Sequence, residues 1–588
     1  MSHKNGIPPP HWAHINKIGI GLTPTLHSIF SRALKTLLLR VPPTQYPPFM
    51  SHGFASERYF VVLVLFIAGF LPANLSRAES TPTARGYVFE DLNRNGIRDK
   101  GERGLPRILV SNQREVTATK KDGSSELPAS DDTIFFVVKP SGWMTPVNHH
   151  NIPLFYYIHK PKGSPNLKFE GVKPTGPLPA SIDFPLHRQA EPRKFQAIFF
   201  GDPQPRDQKE LDYIARDVVE ELIGTKAKFG VTLGDILFDD LSLFERNNAI
   251  IGQIGIPWYN VIGNHDLNFD GPDDRTSDET FHRHFGPNYF AYEYGPVVFV
   301  ALDNVKWNGA KPKGTGTYTS WLGEEQLGFL KALLPRVPKK KLILFMMHIP
   351  IYQTQDREEL FRLIEDRPYT MSISGHTHWH GHRFLGEKEG WKGEKPHHHV
   401  INVTVSGSWW SGAPDESGIP HAMMSDGGPN GYTIFNFDRE KAVIDFKAAR
   451  RPANYRMSVF APDEMTSDSG FSNFVYVNVF NGSEKSKVRM RVGRTGEWIT
   501  LKKVLEQDPY LLALKKQEKE RPDIPGRKLP APKQSDHLWK AALPDGLPVG
   551  EHLISVQTED MWGRIFHASR SIRVTAGSAD VPPAKEQQ

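Results

Sequence analysis

Between residues 195 and 378 short apolar runs repeatedly stop at a polar residue able to bind metal or substrate. Ala197–Phe200 ends in "GDPQ", "FGVTL" in "GDILFDD", "IPWYNVI" in "GNHD", "VVFVAL" in "DN", "KLILFMM" in "HIP" and "YTMSIS" in "GHTH". After the first of them Leu211, Ile214, Ala215, Val218, Val219 and Leu222 recur at helical spacing, which predicts a helix with one apolar face. Strands alternating with such helices predict a layered domain. In layered domains the carboxyl ends of the strands form the ligand crevice, so polar residues far apart in sequence can converge there.

The flanks follow another rhythm. "TIFFVVKP", "LFYYIHK" and "SIDFPL" predict short strands, and residues 85–190 read as one β-sandwich. "GYTIFNFD" and "KAVIDFKAA" predict a hairpin closing the central domain, which spans 195–450. Beyond it "YRMSVFAP", "NFVYVNVF", "SKVRMRV" and "GEHLISVQTEDMWGRIFHASRSIRV" predict a second β-sandwich over 455–575, interrupted by the charged insert "LKKQEKERPDIPGRKLPAPKQ". A tail, 576–588, is expected to be disordered. "HHH" at 397–399 is expected at the rim or edge, leading into the strand "VINVTVSG".

At the start, residues 1–49 show no periodicity. Arg58 then precedes the uncharged run Tyr59–Leu71, and small residues Ser76 and Ala78 stand where a leader peptidase would read positions −3 and −1. Residues 1–78 are therefore read as an extension plus signal peptide cleaved near Ala78, with Met50 a candidate true start. The run is shorter than the roughly 20 residues a membrane span needs, so an uncleaved anchor is the weaker alternative and a buried core helix another. The mature chain is expected to be secreted or periplasmic, with no membrane span.

Charge changes the picture only by its position. The chain carries a formal +6, and seven basic against two acidic residues in positions 1–80 supply a net +5 of it. The remainder is nearly neutral, which argues against nucleic acid as a partner. The chain has no cysteine, so disulfides, thiolate metal sites and cysteine nucleophiles are excluded.

Two constellations carry chemistry. Asp91, Asn93, Asn95, Asp99 and Glu102 occupy positions 1, 3, 5, 9 and 12 of a loop, with Gly96 at the turn and the Ile97 carbonyl at position 7. That oxygen spacing suits Ca²⁺. A strand-like "GYVF" precedes the loop, so it resembles the calcium loops of extracellular prealbumin-like β-domains rather than an EF-hand. The plain alternative is an Asp/Asn/Gly turn making its own backbone hydrogen bonds.

The second is the ordered set "GDPQ", "GDILFDD", "GNHD", "MMHIP" and "GHTH", which resembles the calcineurin-like metallophosphoesterase family, in a bacterial subgroup with β-domains on both sides of the catalytic one. The resemblance implies an α+β fold, a four-layer αββα sandwich flanked by two β-sandwich domains, and a phosphoester hydrolase. It also implies a two-metal centre of Mn, Fe or Zn. Asp202 and His378 would hold one metal, with Gln204 where many members have histidine; Asn264, His348 and His376 would hold the other, and Asp235 would bridge them. A hydroxide bridging the metals would attack the phosphorus, since bound water ionises near neutral pH. His265 would assist the leaving group and Asp266 would orient its ring.

Gln204 is a neutral, weaker donor, which loosens the first metal position. Asp239 and Asp240 are read as partners of the site or as helix caps, and Asp303 as a loop hydrogen-bond partner. Trp409, Trp410 and Asp426, in a Gly-rich stretch, are candidate substrate-binding residues. Two other functions remain open: a phosphodiesterase acting on a cyclic nucleotide or wall-polymer diester, and a non-catalytic extracellular binding protein with a vestigial metal site. Oligomeric state is not legible.

Overall fold

The computed structural model describes residues 82–311, 316–469 and 473–577. The signal-peptide segment and the tail beyond Gly577 lie outside the described residues. No helix among those described is long and apolar enough to cross a membrane.

Two sheets face each other at the centre. One runs in the order Trp258–Val261, Gly230–Leu233, Lys194–Phe200, Gly431–Asp438 and Lys441–Ala448; its first three strands are parallel and its last two form the antiparallel hairpin. The other runs Phe290–Tyr294, Val297–Ala301, Leu342–Met346, Thr370–Ser374, His397–Ile401 and Gly381–Leu385, parallel in its middle four. Side chains alternate across each strand, so the two faces of Lys194–Phe200 meet different partners. Ala197 and Phe199 pack between the sheets with Phe299, Phe435 and Phe437, whereas Ile198 and Phe200 pack outward on Leu211, Ile214, Val218 and Leu222.

That outer stripe lies on a helical run from Gln208 to Leu222, capped by the Asp207 carboxylate accepting from Glu210 N at 3.0 Å. Its middle, Ala215–Val219, widens into a π-turn, and Asp217 there is buried against Arg450. On the far side helices Gly323–Leu333 and Arg357–Ile364 bury Phe329, Leu330, Leu360 and Phe361 against the second sheet. The order is helix, sheet, sheet, helix, an α+β sandwich.

The histidine triplet is not at a rim. His397–Ile401 is itself a strand, hydrogen-bonded on both sides, and His397 and His399 are fully buried. Ser372 accounts for this: its hydroxyl lies 2.8 Å from His397 Nε2 and 2.7 Å from His399 Nδ1, so two imidazoles are satisfied inside the sheet layer.

Before the central sheets, two four-stranded sheets occupy residues 83–188. Their core is continuous with the central one: Phe136 touches Phe329 at 5.7 Å between ring centroids, and buried Lys139 pairs with Glu191 at 2.7 Å. After the central sheets, a four-stranded and a five-stranded sheet enclose Met490, Trp539, Ile554 and Val556. Running into the charged insert, Pro509–Glu520 is a helix, started by the Asp508 carboxylate accepting from Leu511 N at 2.9 Å, with Pro509 as its first residue.

Candidate metal centre and active site

The strand ends do converge. Asp202 follows Phe200, Asp235 follows Leu233, Asn264 follows Val261, His348 follows Met346, and His376 and His378 follow Ser374. Asp202, Gln204, Asp235, His376 and His378 all have left-handed backbones, with φ between 41° and 76°. Such φ values are strained for residues bearing a Cβ and persist where the surroundings enforce them, typically at functional sites. The glycines of the "GD" and "GH" pairs make the close approach possible. A Cβ on Gly234 would lie 2.5 Å from His348 Nδ1, and one on Gly375 would lie 2.6 Å from Asp202 Oδ2.

The donor atoms face one another. His348 Nδ1 lies 2.9 Å from the Leu233 carbonyl and donates to it, which turns Nε2 inward. There Nε2 lies 3.2 Å from Asp235 Oδ1, 3.1 Å from Asn264 Oδ1 and 3.1 Å from His376 Nδ1. Ligand atoms of Asp235, His348 and His376 all fall within 4.8 Å of each other. A carboxylate, an amide oxygen and two imidazole nitrogens aimed at one point need a positive centre between them, and such a donor set suits Mn, Fe or Zn.

Asp202 lies beside this cluster, with Oδ1 3.8 Å from His378 Nε2 and both oxygens accepting from His376 N at 2.9 and 3.0 Å. Gln204 donates its amide to Asp235 Oδ2 at 2.7 Å, while its own Oε1 is buried without a partner, as is His378 Nδ1. An orphaned buried acceptor costs about 1–3 kcal/mol, and a cation at the Asp202 side would satisfy it. The residues present therefore fit two metal ions, and the glutamine retains an oxygen for one of them.

Electrostatics agrees. Burial, reinforced by the neighbouring Asp235 charge, pushes Asp202 up to about 8. Burial opposes ionisation of Asp235 as well, but the charges of His348 and His265 hold it below the usual carboxylate range. His348 is resisted by burial yet carried up to about 9 by Asp235. Burial drives His376 down to about 4, helped by His348 and the Lys533 ammonium, and drives His378 down to about 3. Asp202 thus holds a proton while His376 and His378 refuse one, and His348 shares its proton with the ionised Asp235, so that here protons stand in for cations in a buried donor set.

His265 sits at the cluster's edge, a quarter exposed, with its backbone N donating to Asp235 Oδ1 at 3.0 Å. Its ring is oriented by Asp239, whose Oδ1 lies 2.5 Å from His265 Nδ1, and it stacks on Phe238 at 4.4 Å. Asp266 does not orient it. That carboxylate is fully buried and spent on the backbone N–H groups of Ile236, Leu237 and Gly263, at 3.2, 3.1 and 2.9 Å, and so ties two ligand loops together. Asp240 caps the short turn Leu241–Leu243, and Asp303 accepts from Asn288 Nδ2 and Val305 N. The signal for Asp239 was its place four residues after Asp235, with Phe238 between.

A cavity of about 450 Å³ opens beside His376 and His378. Trp409 lines it, 39% exposed, with its ring 4.6 Å from that of His378. Trp410 does not: it is buried on Tyr213 and donates Nε1 to the Pro203 carbonyl at 3.0 Å, anchoring the loop behind the Asp202 turn. Asp426 does not face the cavity either. It is buried, accepts from His380 N at 2.8 Å and pairs with His537 Nε2 at 2.9 Å. The other His537 nitrogen lies 2.7 Å from Asn478 Oδ1, whose own amide group donates to Asp508. Both ring nitrogens thus have hydrogen-bond partners, and against the cost of burial His537 holds Asp426 below the usual carboxylate range.

In the calcium-type loop Asp91 Oδ2 accepts from Gly96 N at 2.9 Å, and Glu102 accepts from Leu92 N and Asp99 N. The amides of Asn93 and Asn95 both donate to Asp99 Oδ2 at 2.8 Å. Asn93 Oδ1 and Asn95 Oδ1 accept from the backbone at Asn95 and Ile97. Asp91 Oδ1 is buried with no partner.

An αββα sandwich whose strand ends gather carboxylate, amide and imidazole donors at one place is the architecture of a metal-dependent hydrolase. The sequence matches three family descriptions in register with the architecture. They are the N terminal of calcineurin-like phosphoesterase over residues 92–174, calcineurin-like phosphoesterase over 195–380, and the C terminal of calcineurin-like phosphoesterase over 399–566. The chain belongs to the calcineurin-like phosphoesterases and is a phosphoester hydrolase.

No curated protein matches it. Among solved structures it is similar to the purple acid phosphatase PPD1 from yellow lupin (Lupinus luteus) seeds, at 12% identity over 58% of this chain and 67% of that one, with a TM-score of 0.33. It is also similar to CopC from Methylosinus trichosporium OB3b, at 13% identity over 21% of this chain and 92% of that one, with a TM-score of 0.13. Overlaps that low carry no argument.

Proposed function

We propose that the chain hydrolyses a phosphate ester with two bound cations. Asp202, His378 and Gln204 would hold one, Asn264, His348 and His376 the other, and Asp235 would serve both. When bound, the cations would acidify an attacking water and draw charge from the phosphoryl oxygens. The protein's own part is positional. Burial keeps His376 and His378 neutral, as ligands must be. Asp239 fixes one His265 nitrogen and leaves the other to hold a proton at the departing oxygen.

The observation that carries this reading is His348 Nε2 facing an oxygen of Asp235, an oxygen of Asn264 and a nitrogen of His376 within 3.2 Å. The test uses protein beginning near Glu79, stripped of metal, resupplied with Mn²⁺ and given a chromogenic monoester and a diester. Metal-dependent turnover that is lost in Asp235→Asn supports the reading, and the preferred ester settles the diester alternative. No turnover of either ester would favour a binding protein.

Two further readings belong here. The loop Asp91–Glu102 takes Ca²⁺, supported by the orphaned Asp91 oxygen; a thermal midpoint unmoved by millimolar Ca²⁺ would refute it. Export after cleavage near Ala78 rests on the sequence pattern of residues 58–78, and the amino terminus of the mature protein tests it.

A further inference from the structure

The cavity beside the metal-ligand cluster is not walled by the catalytic domain alone. Pro530, Ala531 and Lys533 line it together with His376 and Trp409, and all three come from the last part of the charged insert, inside the carboxyl-terminal sandwich. That segment is tied down at both ends. Lys533 N donates to the Ser425 carbonyl at 2.7 Å, and Ser425 N in turn donates to the carbonyl of His378. Arg527, which pairs with buried Glu210, donates Nη1 to the Trp409 carbonyl at 2.8 Å.

Trp409 needs such a hold, because it and Trp410 are consecutive bulky residues with φ of 58° and 51°, a strained backbone for side chains of that size. The strain keeps one indole in the core and the other exposed in the cavity over His378. Trp379 lines the cavity too. Among the described residues Lys533 has no carboxylate within ion-pair distance, so its ammonium is an uncommitted cation at the mouth of the site. The rest of the lining is neutral: Gln353, Thr377, Ser408 and Ser425 beside the imidazoles.

Resting on the phosphoesterase reading of the metal centre, we propose that the carboxyl-terminal sandwich completes the substrate pocket: Lys533 binds a second anionic group on the substrate and Trp409 supports a flat ring. The substrate class is then a phosphate ester whose organic part carries an aromatic or heteroaromatic ring and a further negative charge. About 450 Å³ accommodates such a molecule.

The test compares phenyl phosphate with 3- and 4-carboxyphenyl phosphate, which differ from it only by the added carboxylate, in the wild type, Lys533→Gln and Trp409→Leu. Glycerol 2-phosphate serves as the ester without a ring. Lys533→Gln should lower kcat/KM for the better carboxylated ester about tenfold more than for phenyl phosphate, mainly through KM. Trp409→Leu should penalise all three aryl esters more than glycerol 2-phosphate. Equal losses on all esters would place Lys533 on the reacting phosphate and overturn the proposal, as would no loss at all.

Wild-type protein that turns over none of the esters would instead sink the phosphoesterase reading. Calorimetric titration with carboxyphenyl phosphate then decides the pocket by itself: heat of binding that weakens in Lys533→Gln supports it, and affinity indifferent to Lys533 ends it.

Discussion

Replacing His397 with glutamine should change how stability depends on pH far more than it changes stability itself. His397 is 1% exposed in the middle of a sheet, between the hydroxyls of Thr370 and Ser372, and burial alone drives its imidazole down to about 3. An unfolded histidine titrates near 6.5. The folded state therefore refuses a proton that the unfolded state accepts. The stabilisation is fully present above about pH 6.5 and is lost progressively as the pH falls toward 3. Each pH unit in that window is worth about 1.4 kcal/mol per proton, so between pH 7 and pH 5 the neutral ring costs the fold about 2 kcal/mol.

Glutamine keeps a polar contact with Ser372 and does not titrate. Urea unfolding of both proteins at pH 7 and pH 5 reads the effect directly. The free-energy gap between wild type and His397→Gln should move by about 2 kcal/mol in the variant's favour on acidification. A gap that stays constant would mean that the folded imidazole takes up its proton normally, and the account of the buried histidine strand would fail. His399, equally buried and also held well below its ordinary value, should behave alike.

Asp239→Asn should lower kcat by about 10- to 100-fold with bound metal unchanged, because the carboxylate is hydrogen-bonded to the His265 ring and to none of the metal-binding side chains; steady-state kinetics with metal analysis checks both halves. Gln204→Ala should release metal from the Asp202 side first, seen as one fewer equivalent retained after dialysis, while Gln204→His should tighten retention. Phe136→Ala should cost about 3–5 kcal/mol in denaturant unfolding, since the ring is fully buried between the amino-terminal sheets and Phe329.

The central domain was legible because its signals are local. An apolar run stopping at a carboxylate or imidazole is visible without any contact, and the helical stripe from Leu211 to Leu222 is a matter of spacing. What escaped was set by tertiary partners. The role expected of Asp266 belongs to Asp239, because the carboxylate next to His265 in sequence is turned inward by three backbone N–H groups. The triplet at 397–399 looked like rim because histidine is rarely core, and only the hydroxyls of a neighbouring strand make it acceptable there. Trp409 and Trp410 are indistinguishable as letters; a strained turn gives them opposite fates. The helix after Asp508 had a readable start in its Asp-Pro pair, hidden by the charge that follows.

The hydrogen bond between His537 and Asp426 sets a boundary on how this chain can be divided. Asp426 also receives His380 N, two residues from His378, and the Ser425 beside it holds the His378 carbonyl. Cutting away the last hundred-odd residues would take His537 from that carboxylate and open to water a contact made two residues from His378. An excised central piece should thus purify as damaged enzyme, and grafting a foreign tail onto it should rescue nothing unless the graft brings a new partner for Asp426.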